Sequence, residues 1–187
     1  MQKNKQLIII GAGETAMLAY EYFTYDSEYD VVAFAVNKEF ITETTLYNLP
    51  ITPLEDIHIT HPTVDYEAFI AISSGKLNRV RTKFYTELKN KGYTLASYVS
   101  SKAFVWRNVE VGDNCFILEN NTLQPFVKIG NNVTLWSGNH IGHRTEIKDN
   151  CFISSHCVIS GFCEIGESSF LGVNCTLEDN VKIEKDN

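Results

Sequence analysis

The chain has 187 residues, of which 44% are hydrophobic and 21% charged, and its formal net charge is −7. That apolar content excludes a disordered chain, and the acidic balance excludes a broad basic face for nucleic acid. The longest apolar runs, such as residues 7–13, fall far short of a membrane span.

The N-terminus reads MQKNKQ and then LIII, without the apolar core or the cleavage site of a signal peptide. A cytoplasmic protein is therefore expected. Residues 6–10 predict a short apolar strand, which runs into a GxGxxA turn, Gly11, Ala12, Gly13, Glu14, Thr15 and Ala16. A helix is predicted over 16–23 and a second apolar strand over 31–36. Residues 48–53 read as irregular connection. A further strand is predicted over 69–73, followed by Ser74, Gly75 and Lys76. A helix over 77–90 ends at Lys91-Gly92, which suits a C-cap, and 93–99 reads as a last strand. Strand, helix and strand with glycine-rich turns predict an α/β domain with a Rossmann-like parallel sheet over residues 1–98.

In such a domain the glycine turn lets backbone N–H groups approach a phosphate at a helix N-terminus. Gly11, Ala12, Gly13, Glu14 and Thr15, together with Ser73, Ser74, Gly75 and Lys76, are therefore candidate binders of a nucleotide diphosphate, with Lys38 and Lys76 adding charge. A dinucleotide such as NAD needs an acid at the end of the second strand for its ribose. That place holds Asn37 and Lys38, so NAD is not expected.

From Ala103 the pattern changes. The five cysteines, Cys115, Cys151, Cys157, Cys163 and Cys175, are separated by multiples of six. Cutting the chain in sixes gives fourteen complete hexads. Their third position is aliphatic every time, from Val105 to Ile183, and their first position is never bulky. A period of six predicts a parallel β-helix over 99–187, with three hexads to a coil. The cysteines are then small, reduced core residues, with no redox or metal role expected.

The two-domain order, the segment SGNHIGHRTEI and the later SSHCVISGFCEIG resemble the hexapeptide-repeat sugar acyltransferases. That family includes the sialic acid O-acetyltransferases and the bacterial amino-sugar N-acetyltransferases. The resemblance implies a homotrimer of left-handed β-helices that uses acetyl-CoA and no metal, and an N-terminal domain that holds a nucleotide-linked sugar. It implies a catalytic histidine at His143 and an oxyanion-binding backbone N–H at Gly161. The acceptor implied is an amino-deoxy sugar for surface polysaccharide synthesis, with O-acetylation or a non-catalytic oligomeric scaffold as alternatives. Gly161, Phe152, Gly172 and Val173 are the implied coenzyme A contacts; at Phe152 some members carry a histidine. Arg144 stands where a carboxylate commonly follows the catalytic histidine, so Glu146 is the candidate to orient it. Family members usually run some tens of residues further, so a missing C-terminal segment is expected.

The repeat arithmetic independently sets His143 and Gly161 one 18-residue coil apart, on adjacent rungs. His140 and His156 are competing histidines. His140 projects from another part of the rung and is grouped with the substrate contacts, and His156 is expected above Gly138. Zinc held by His140, His143 and His156, as in a γ-type carbonic anhydrase, is disfavoured because their offsets do not converge within one chain.

Overall fold

The computed structural model describes residues 2–187. The chain divides into two compact units: Met1–Ser73 with Lys83–Ala96, and Ser74–Thr82 with Ser97–Asn187. No helix among the described residues is long and apolar enough to cross a membrane.

The first unit is built on a five-stranded sheet. Strands β1 (Lys5–Ile10), β2 (Tyr29–Val36), β3 (Thr45–Leu46), β4 (Leu49–Pro53) and β5 (Tyr66–Ile70) lie in the order β3-β4-β2-β1-β5. The β4-β2-β1-β5 pairs are parallel and β3 is an antiparallel edge. The continuous run Leu7–Ile10 is buried on both faces, as a central parallel strand requires. Helix α1 spans Glu14–Tyr25, and a short helix α2 spans Ile57–Thr60.

Four expectations change here. The strand expected over 69–73 lies earlier, as β5 over Tyr66–Ile70. Residues 49–53 form a paired strand, because Phe34, Ala35 and Val36 register on Ile51, Thr52 and Pro53. The segment 93–99 is not one strand: Leu95 bridges Ala68, whereas Tyr98–Val99 pairs with Phe116–Ile117 as the first rung of the repeat. The helix expected from residue 77 begins later, as α3 over Arg79–Asn90, because Lys76, Leu77 and Asn78 all have positive φ. Gly92 closes it with φ +88, its N–H donating to Lys89 O.

The second unit is a left-handed parallel β-helix. Fifteen two-residue strands, from Tyr98–Val99 to Lys182–Ile183, form three five-stranded sheets, each strand pairing with the one 18 residues on. The aliphatic third position is buried from Ile117 to Leu171. The outward residues differ between faces. One face carries Tyr98, Phe116, Thr134, Phe152 and Phe170; the next carries Phe104, Thr122, His140, Val158 and Thr176; the third carries Glu110, Lys128, Glu146, Glu164 and Lys182.

The cysteines are free, four of them buried and Cys175 half-buried. Their position has a second reason beyond size. Each buried thiol donates to a turn carbonyl of the adjoining rung: Cys115 to Gly130 O (3.0 Å), Cys151 to Gly166 O, Cys157 to Gly172 O and Cys163 to Glu178 O (each 3.1 Å). Thr145 and Ser169 do the same to Ser160 O and Glu184 O. Burial pushes the Cys115 thiol up to about 11 and that of Cys151 up to about 12, so both remain un-ionised near neutrality.

The segment Ser74–Thr82 packs with the β-helix through two buried polar side chains, Asn78 and Arg81. Arg81 is fully buried and donates to Asn114 O (2.8 Å), Asn132 O (3.0 Å) and Thr134 Oγ1 (2.8 Å). Asn78 Nδ2 donates to Asn150 O at 2.8 Å. Three successive rungs of one corner are thus tied to residues 78–81. Burial pulls the Arg81 guanidinium down to about 10, which leaves it charged at neutral pH.

Replacing Arg81 by Ala strands two carbonyls and a hydroxyl, and should cost about 3 kcal/mol in urea unfolding. Arg79→Ala, which breaks an exposed pair with Asp186, should cost less than about 1 kcal/mol. Equal costs would show that Arg81 is not a clamp.

Candidate functional site

Every hexad but the first ends in a left-handed residue. From Asn114 to Asp186 every sixth position has positive φ. Asparagine tolerates this conformation best after glycine, and it fills the position at 114, 120, 132, 150, 174 and 180. His156 and Ser168 depart from it singly, and one corner departs from it on three rungs in a row. There the sixth positions are Phe126 (φ 67), Arg144 (φ 59) and Phe162 (φ 59), three bulky residues on consecutive rungs. Strain kept at three stacked turns marks this corner out.

His143 precedes Arg144 at this corner and is exposed. Its imidazole lies against Gly161, one coil on: a Cβ added to Gly161 would stand 2.6 Å from His143 Cε1. Phe162 meets the ring edge-on, centroids 4.9 Å apart. Gln124 approaches from the rung on the other side. Its Oε1 accepts the His143 backbone N–H at 2.9 Å and lies 3.4 Å from Nδ1. The backbone donor fixes the amide oxygen toward the ring. An oxygen there favours Nδ1–H and leaves Nε2 with its lone pair free. The neighbouring Arg144 guanidinium is drawn aside over Phe126, 4.5 Å from the ring centroid.

Two expected roles change at this corner. Glu146 does not orient His143: its carboxylate pairs with Lys148 at 2.8 Å and lines an open 260 Å³ depression with Asn108, Glu110, Phe126, Lys128 and Arg144. Gln124, which the sequence reading passed over, makes that contact; its place 19 residues before His143 was the available signal. The Gly161 N–H is not free either, since it donates to Asp179 Oδ1 at 2.7 Å.

The other candidates of this unit are dispersed. His140 sits on a strand, in register with Thr122 and Val158. The His156 ring lies across Gly138, with Nδ1 2.6 Å from where a Cβ would be. Phe152 stacks on Phe170, centroids 5.3 Å apart and planes 5° apart, and leans on Trp136. Gly172 is open, and Val173 is 66% exposed. Ser74, Gly75 and Lys76 belong to this unit as well. Among the described residues no three His, Cys, Asp or Glu side chains are grouped to hold a metal ion.

In the first unit the predicted residues lie at the carboxyl edge of the parallel strands. Gly11 has φ +125, and a Cβ there would come within 2.7 Å of Ala71 O, so only glycine fits. Gly13 caps α1 without a side-chain bond, with Glu14 and Thr15 in the first turn. Asn37 and Lys38 follow β2, where Glu55 holds both: its carboxylate accepts from Asn37 Nδ2 (3.2 Å) and from the Lys38 N–H (3.1 Å). Ser73 closes this part of the unit.

Residues 108–141 and 126–161 match the family model of the bacterial transferase hexapeptide (six repeats). The second unit is a hexapeptide-repeat β-helix. No curated protein matches the sequence. Solved structures do. Perosamine N-acetyltransferase from Caulobacter crescentus, in complex with CoA and GDP-perosamine, is 20% identical over 97% of this chain and 83% of its own, with a TM-score of 0.84. The acetyltransferase domain of PglB from Neisseria gonorrhoeae is 18% identical over 97% and 86%, with a TM-score of 0.85. WeeI from Acinetobacter baumannii is 18% identical over 98% and 90%, with a TM-score of 0.66. At these identities the likeness is one of fold, and it extends over both units.

Gly161→Ala should push the His143 ring off its seat without unfolding the repeat. The change is read as loss of the Phe162 ring-current shift on the His143 ring protons. Gly172→Ala, where nothing lies within 4 Å of the added Cβ, is the control that should leave those protons in place.

Proposed function

We propose that this protein is an acetyl-CoA-dependent acetyltransferase acting on the amine of a nucleotide-linked amino-deoxy sugar, for surface polysaccharide synthesis. The observation that carries the reading is the His143 ring seated on Gly161, with Gln124 Oε1 facing Nδ1. Support comes from the fold shared with perosamine N-acetyltransferase in complex with CoA and GDP-perosamine, and with the PglB domain solved with acetyl coenzyme A.

Acetyl-CoA supplies the activated acyl group. His143 Nε2 takes a proton from the sugar amine as its nitrogen bonds to the acyl carbon, and the thiolate of coenzyme A leaves. Gln124 keeps the lone pair on Nε2 by accepting from Nδ1–H. A positioned base of this kind is worth about 10²–10⁴-fold. The Gly161 N–H is the proposed donor to the developing oxyanion, and using it requires Asp179 to release it. Phe152, Gly172 and Val173 are the proposed coenzyme A contacts, and His140 a contact of the sugar.

The first unit, read as a Rossmann-like domain, binds the nucleotide at its glycine turn, Gly11 to Thr15, beside Asn37 and Lys38. Ser73 completes the proposed substrate contacts of this unit. The assembly proposed is a homotrimer, which would cover exposed aromatics such as Phe104 and Trp106 on the β-helix. The proposed location is the cytoplasm, where both substrates are made.

Release of free thiol from acetyl-CoA, with a panel of nucleotide-linked amino sugars, tests the reading. His143→Ala should lower turnover about 10²-fold or more, roughly 3 kcal/mol in the barrier, with the fold and mass unchanged. Gln124→Ala should lower it by less, about tenfold, because the base survives and only its tautomer is unguided. Retained activity in His143→Ala, with loss in His140→Ala, would move the base three residues earlier. Light scattering should give three chains per particle; a monomer would sink the proposed assembly.

A further inference from the structure

The carboxyl ends of four parallel strands lie side by side in the first unit. The Ala71 N–H donates to Ile10 O, the Gly11 N–H donates to Ala35 O, and Val36 is in register with Pro53. The edge therefore reads, in sheet order, Ala71 after β5, Gly11 after β1, Asn37 after β2, and Leu54 and Glu55 after β4. In open parallel sheets this edge is where nucleotides bind. The end of β2 carries Asn37 and Lys38 where a dinucleotide site needs an acid, which argued against NAD. The tertiary structure brings an acid from β4, a strand the sequence does not announce.

Glu55 is held in place and still open to a ligand. Its Oε1 accepts from Asn37 Nδ2 at 3.2 Å and from the Lys38 N–H at 3.3 Å, and its Oε2 accepts from the same N–H at 3.1 Å. These bonds seat the carboxylate at the end of β2 without enclosing it, and the side chain is exposed. Hydrogen bonds from its own backbone, Asn37 and Lys38 hold its carboxyl below the usual range, so it is an acceptor with spare lone pairs. Such a group repels phosphate and attracts paired hydroxyls. The carboxylate thus lies between the ends of β4 and β2, one to two strand spacings, about 5–10 Å, from the glycine turn after β1, which suits the reach from a diphosphate to the sugar of the same nucleotide.

We infer that Glu55 accepts the ribose 2′-hydroxyl of the substrate's nucleotide, with Asn37 and the Lys38 N–H as the groups that position it. This inference rests on the proposed reading of the first unit as nucleotide-binding. It makes Glu55 a residue that selects ribonucleotides over 2′-deoxyribonucleotides.

Calorimetry with UDP, GDP and their 2′-deoxy counterparts tests it on the full chain. The wild type should bind at least one ribonucleoside diphosphate about tenfold more tightly than its 2′-deoxy form, the size expected of one hydrogen bond to a charged group. Glu55→Gln should weaken the ribonucleotide about tenfold and leave the 2′-deoxy form unchanged, so that the preference disappears. Circular dichroism checks that the variant is folded, and Glu55→Asp, which keeps the charge, should retain part of the preference. An equal loss for both sugars would mean that Glu55 only supports the turn at Lys38, and would overturn the inference alone. A preference that persists in Glu55→Gln would do the same. A wild type that binds no nucleoside diphosphate would overturn the nucleotide reading and the inference with it. Loss of acetyl transfer with these affinities intact would fall on the His143 reading and leave Glu55 standing.

Discussion

The left-handed backbone at the sixth position of the hexads, from Asn114 onward, turns the chain through the corners of the prism, and the rest of the second unit hangs on it. With that turn in place, residues 18 apart fall on one another and each strand pairs with the next coil. The aliphatic third positions then close a continuous buried column. An L-residue in this conformation costs about 1–2 kcal/mol unless it is Gly, Asn or Asp. Asparagine repays its use twice at one corner, because the side chains of Asn114, Asn132 and Asn150 also link in series, each step 2.7 Å. The carbonyls of the same three residues receive Arg81 and Asn78.

Stacking of turns exposes backbone groups that water cannot reach, and the first positions answer that need. Cysteine, serine, threonine and asparagine each combine small volume with a donor. The asparagines do it most fully: Asn121 and Asn139 both donate to Trp136 O, and their amide oxygens accept the Asn139 and Cys157 N–H groups. Valine at this position packs without donating. The choice of residue here is a question of which turn carbonyl stands unpaired beside it.

The corner of His143 spends the same geometry differently. Phe126, Arg144 and Phe162 hold left-handed turns that asparagine would hold with less strain; Phe162 meets the imidazole and Phe126 draws the Arg144 guanidinium over its own ring. Gln124 and Gly161 lie on the rungs to either side, so one side chain is fixed by three successive coils. In the first unit a carboxylate from β4 is likewise fixed by two groups that follow β2. In both places position comes from neighbours distant in sequence.

The six-residue period was enough to place the β-helix, its inward column, the reduced cysteines and the stacking of His143 on Gly161 and of His156 on Gly138, because each depends only on counting along the chain. Glycine spacing and apolar runs likewise located β1, β2 and both long helices. The sequence did not announce β4, since Leu49-Pro50-Ile51-Thr52-Pro53 carries two prolines and only its partner β2 makes it a strand. It could not show that Glu146 turns to Lys148 while Gln124 turns to His143, or that Asp179 occupies the Gly161 N–H. Nor could it show Arg81 buried against the repeat, or Glu55 at the end of β2. A period fixes which backbone positions stack. Which side chain takes a given donor is decided by competition among neighbours in space, and that competition exists only once the chain has folded.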